Sequence, residues 1–156
     1  MNPYPTVFVP VRPLSELNSR SGEHWAKKKK RHDRIKEETF CALRELPLKV
    51  QEAIRSEGKL AVVLRAITAH KPDKDALGGA MKYYQDEVAR FLGCDDAEES
   101  RVEFFHKWRK WQGLVNAKGK GGDCREGVYI DFIPFSAYLE EAKKEIEAQL
   151  AALSKA

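Results

Sequence analysis

The stretch KLAVVLRAITAHKPDKDALGGAMKYYQDEVARFLGCDD, residues 59–96, decides the fold. Its first third, KLAVVLRAITAH (59–70), is mostly apolar and rich in β-branched residues, the pattern of a strand buried on both faces. Pro72 ends that strand. From about Gly79 to Leu92 the period changes, with Met81, Tyr84, Val88 and Phe91 at helical spacing. Such a stripe belongs to a core, and Gly93 is placed to cap the helix behind it. Carboxylates crowd both ends of this helix: Asp73 and Asp75 before it, Asp95 and Asp96 after it.

Working outward, TVFVPVRP (6–13) alternates and carries Pro10 and Pro13, which predicts a first strand at a sheet edge. A polar loop, LSELNSRSGEH (14–24), follows, with Ser21 as a helix cap, and from Trp25 there is no Gly or Pro until Pro47. That interval predicts a helix through Leu46, and LKVQEAIRSEG adds a short helical segment closed by Gly58. RVEFFHKWRKW (101–111) and GVYIDFIPF (127–135) read as two strands of a long hairpin with NAKGKGGD as its basic tip. The last segment, 136–156, is an amphipathic helix with Leu139, Ile146, Leu150 and Leu153 as its stripe. Alternating strands and helices predict an α/β or α+β fold: one small mixed β-sheet with helices packed on it.

A chain of 156 residues forms a single domain, 1–156, with a core that needs no disulfide or metal staple. Cys41, Cys94 and Cys124 are odd in number and form no CxxC pair, which points to a reducing, cytoplasmic setting. No apolar run approaches membrane-spanning length, and no signal segment opens the chain. The net charge of +4 is segregated. Residues 25–36, WAKKKKRHDRIK, hold seven Lys/Arg against Asp33 alone, and Lys107 to Arg125 holds six against Asp123. Separated charge of this kind suits a polyanionic partner, whereas a lone lysine run would merely keep a helix soluble. The scattered histidines and the absence of a glycine-rich phosphate loop speak against zinc and nucleotide chemistry.

One acid before a helix is ordinary capping, which does not account for a second pair behind it; a fold that brings the end of the buried strand beside the loop after the helix would account for both. Hard carboxylate oxygens gathered at one place are ligands for Mg²⁺, and two such ions about 4 Å apart can activate water and stabilise the leaving oxygen of a phosphodiester. An acidic centre within a basic surface therefore predicts a metal-dependent nuclease.

The segment PDKDALGGAMKYYQDEVARFLGCDDAEESRVEFFHKWRK resembles the core motif of the RusA-type Holliday-junction resolvases, in which a DxDN segment and a helix with a lysine lead to an Asp-Asp pair before a strand. LNSRSGEHWAKKKKRHDRIKEE resembles the opening of that family, and together the likeness covers about 6–135, leaving the helix of 136–156 outside. The resemblance implies that Asp73, Asp75 and Asp96 bind Mg²⁺ (or Mn²⁺). It also implies that Lys82 steadies phosphate or leaving-group charge, that the protein is a homodimer, and that its substrate is a four-way DNA junction in recombination or repair. Asp95 assists or caps a turn. Two departures stand out: Ala76 replaces the family Asn, and Lys82 comes later than the family lysine, as though the helix carried a short insertion. The DNA contacts expected are Lys27, Lys28, Lys29, Lys30, Arg31 and Arg34, with Lys118 and Lys120 at the hairpin tip and Asn18 and Arg20 as secondary candidates. The alternatives are a flap- or branch-cutting nuclease of broader selectivity, and a DNA-binding protein whose departures have weakened catalysis.

Overall fold

The computed structural model describes residues 2–13, 25–113 and 125–155, the side chains of Lys74 and Asp75 excepted. Its elements are β1 (Val7–Val9), α1 (Trp25–Arg44), α2 (Leu48–Ser56), β2 (Leu60–Thr68), α3 (Lys74–Leu92), β3 (Val102–Lys110), β4 (Gly127–Pro134) and α4 (Phe135–Ser154). The described strands form one mixed sheet in the order β1-β4-β2-β3, and with four helices this is an α+β fold. Among the described strands β1 is an edge strand, as the prolines that follow it predict.

β2 takes a central place because every residue but Arg65 is buried. Val62, Leu64 and Ala66 point into the main core, where they join Ile35 and Leu43 of α1 and Met81, Tyr84, Val88 and Phe91 of α3. Tyr84 is fully buried, and its hydroxyl donates to the Val11 carbonyl at 2.7 Å, tying α3 to the end of the first strand. The opposite face of the sheet meets the first turns of α4, where Tyr138 stacks on Phe105 at 4.5 Å.

Three expectations need correction. β3 and β4 are not a hairpin: β3 pairs in parallel with β2, Leu60 opposite Val102, while β4 pairs antiparallel on the other side of β2. The most apolar strand thus gains a neighbour on each side, and the charged strand carrying His106, Lys107, Arg109 and Lys110 goes to the edge, where charge discourages further pairing. The helix also begins at Lys74, not near Gly79, because Ala76 and Ala80, each 5% exposed, extend the buried stripe by a turn. That packing outweighs the roughly 1 kcal/mol that each interior glycine costs a helix. Asp75 is therefore a first-turn residue of α3 rather than a loop residue. Finally, parallel pairing puts the end of β2 and the start of β3 at opposite ends of the sheet, so the loop after α3 does not lie beside the end of β2.

Gly93 behaves as expected. It adopts φ 72°, its N–H donates to Arg90 O at 3.1 Å, and Cys94 N–H donates to Ala89 O at 3.1 Å, a left-handed cap that closes α3. No described helix is long and apolar enough to cross a membrane. Among the described cysteines, Cys41 and Cys94 are free thiols.

Candidate nucleic-acid interface

Asp73 has the backbone conformation of the α3 N-cap, yet its carboxylate makes no capping hydrogen bond and is exposed. Capping by side chain is thus not what Asp73 does here. Position 75 lies two turns before Lys82 on the same helix, with Gly78 and Gly79 between them. A Cβ built on Gly78 meets nothing within 4 Å, so this stretch of helix surface stands open. Lys82 pairs with Asp86 at 3.5 Å, the i, i+4 ion pair of an exposed helix face.

Asp96 belongs to a different cluster. Gln85 donates through Nε2 to Asp96 Oδ2 at 3.4 Å, and its Oε1 lies 3.0 Å from His106 Nε2. Asp95 closes the turn by accepting from Ala97 N–H at 3.0 Å. That bond, above all, holds the Asp95 carboxyl below its ordinary value, with the Asp96 side chain and then Lys82 adding to the effect. Gln85 stands twelve residues after Asp73, about 18 Å along the axis at 1.5 Å per residue. Even with both side chains and the Gln85 amide stretched along that line, at least about 7 Å separates the Asp73 and Asp96 carboxylates, against about 4 Å for two oxygens on one Mg²⁺. Asp73 and Asp96 of one chain do not share a single ion, and among the described residues no group of three or more His, Cys, Asp or Glu gathers as a metal site.

The fold brings cations together instead. A cleft of about 410 Å³ is lined by Pro10, Val11, Arg12, Lys30, Arg31, Arg34 and Arg125. A second, of about 300 Å³, opens at the end of β2 and the start of α3, where Arg12, Thr68, His70, Lys71, Pro72 and Ala76 line it with neighbouring apolar residues. Arg12 is a wall of both. Glu126 fixes Arg12 by accepting from its Nε at 3.1 Å while accepting from Ala69 N–H at 2.9 Å. Thr68 ties the second cleft to β3: its Oγ1 accepts from Trp108 Nε1 at 2.8 Å and donates to His70 O at 2.8 Å. Lys71 lies 5.9 Å above the Trp108 ring, within the range of a cation–π contact.

Of the basic run in α1, Lys30, Arg31 and Arg34 line the first cleft. Lys27, Lys28 and Lys29 continue the same helix outside its lining. Asn18, Arg20, Lys118 and Lys120 lie outside the described residues. Sequence reading missed Arg12, His70, Lys71, Gln85, His106 and Glu126 as members of these clusters. Arg12, between two prolines, carries the one usable signal, since a long cation at the end of an edge strand projects where chain ends meet.

No protein-family model matches this chain, and neither a curated protein nor a solved structure does.

Proposed function

We propose that the protein is a Mg²⁺-dependent endonuclease acting on branched DNA, of the kind its RusA-like sequence motif implies. The observation that carries this reading is the pair of clefts sharing Arg12, the second of which opens at the Pro72–Ala76 end of α3, where Asp73 and Asp75 stand. Cationic walls hold phosphodiester, and carboxylates at the helix start are hard oxygen donors of the type Mg²⁺ takes while it keeps several waters. Asp73 fits this role because its carboxylate is exposed and not spent on capping. Asp96, in its own cluster with Gln85 and His106, stands apart from this ion and is left out of its ligand set. Bound there, Mg²⁺ supplies charge stabilisation and an activated water. The chain's own part is to grip the backbone with Arg12 and the α1 cations, to offer the Asp73 and Asp75 carboxylates to the ion, and to set Lys82 along the open helix face. A homodimer would present two such clefts to a four-way junction.

The separation of Asp73 from Asp96 also favours a second reading, a DNA-binding protein with weakened catalysis. One experiment distinguishes the two. Labelled four-way junction, flap and linear duplex are incubated with the protein in Mg²⁺ and then in EDTA. The nuclease reading expects Mg²⁺-dependent products, paired cuts on the junction being its sharpest form. Tight binding of the junction with no product in Mg²⁺ or Mn²⁺ would give the protein to the second reading.

A further inference from the structure

We propose that the cleft formed by Arg12, Lys30, Arg31, Arg34 and Arg125 is a phosphate subsite that clamps the nucleic-acid backbone beside the carboxylate end of α3. The inference deepens the nuclease reading, but its chemistry is binding and stands without cleavage. Three separate parts of the chain contribute: the end of the first strand, one face of α1, and the approach to β4. Among the described residues, no carboxylate lines the cleft. Glu126, the acid that pairs with Arg12, does so while hydrogen-bonded to the backbone at Ala69, so it orients the guanidinium rather than filling the cleft.

Beside the Glu126-paired Arg12, gathering Lys30, Arg34 and Arg125 around one cavity costs the folded chain Coulombic repulsion, a cost that an anion in the cavity would reverse. Guanidinium forks suit that anion best as a phosphate, which they can hold through paired N–H···O bonds. A cavity of about 410 Å³ exceeds one phosphate group, and its shared wall with the cleft beside Pro72 gives the occupant a continuation toward Asp73. A phosphodiester chain has that continuation; an isolated phosphate does not.

The test is fluorescence anisotropy with labelled duplex and four-way-junction DNA in EDTA, over a salt series, for wild type, Arg34→Gln, Arg125→Gln, the double variant, and Lys144→Gln on α4 as control. Each lost phosphate contact removes about 0.9 from the slope of log K against log salt, which is about fivefold in affinity at 0.15 M salt. The double variant should therefore bind about 25-fold more weakly with a slope lower by about 1.8, and the control should match wild type. Inorganic tripolyphosphate should compete with DNA for the wild-type cleft only weakly. Circular dichroism and melting curves identify any variant that has unfolded, and Arg34→Lys, which keeps the charge, then serves in its place and should retain most of the slope. Unchanged affinity and slope in the folded double variant would overturn the proposal, as would a cleft that binds tripolyphosphate tightly while DNA affinity ignores the substitutions. Because EDTA removes cleavage from the measurement, an inactive protein that still shows these losses would disprove the nuclease and leave the subsite standing.

Discussion

Gln85 is the residue on which the second polar cluster turns. Its amide faces Asp96 with Nε2, so its Oε1 accepts from His106, which places a proton on His106 Nε2. His106 keeps much of its surface exposed, yet desolvation of its inner edge lowers its pKa from the ordinary 6.5. The sign follows from linkage: below 6.5 the unfolded chain takes up the proton before the folded one does, so stability is complete above 6.5 and declines as pH falls. Urea unfolding should show a loss of stability from pH 7 toward pH 5 that is smaller in His106→Ala. Equal losses in both proteins would remove His106 from the account. At this scale the sequence was partly legible. Asp73, Asp75 and Asp96 stand out by type and spacing, but their separation does not, because it depends on how far the loop after Gly93 folds back along α3. Arg12 and Arg125 gain meaning only when strand ends over a hundred residues apart are brought together.

Among the elements, α4 is the one whose packing is unfinished. Its first turns rest on the sheet, but from Lys143 to Lys155 every residue is exposed. Leu139, Ile146 and Leu153 recur at seven-residue spacing and are 52%, 57% and 72% exposed, with Leu150 beside them. The exposed part of α4 is of a length at which a helix alone is marginal in water, and a seven-residue apolar repeat is the seam that a second helix fills. The proposed homodimer gives that seam its partner. Light scattering at micromolar concentration should report a dimer for the wild type and a monomer for Ile146→Glu. A wild-type monomer would separate α4 from assembly and count against paired incision. The sequence made the start of α4 legible to within a residue through its periodicity, while the helix ends at Ser154 rather than at 156. It misplaced β3, because two amphipathic runs flanking a glycine-rich segment look alike whether they pair with each other or with a third strand between them. Only the competition for the centre, won by β2 as the most apolar strand, separates those outcomes.

For the molecule as a whole, charge is sorted by the fold as it is by the sequence: α1 and the chain around Arg12 and Arg125 make a cationic face, and α3 carries the carboxylates at its start. In the proposed nuclease, binding and cleavage should therefore be separable, the first belonging to the cations and the second to the acids. Asp75→Asn tests this most directly. The change keeps the side chain's shape and removes the charge a hard cation needs, at a cost to the helix start of about 0.3–1 kcal/mol from the lost dipole interaction. Cleavage of a labelled junction in Mg²⁺ and binding of the same junction in EDTA are measured for wild type and variant side by side. The account predicts cleavage reduced by orders of magnitude with binding retained or tightened and the fold intact; near-wild-type nicking by Asp75→Asn would contradict it.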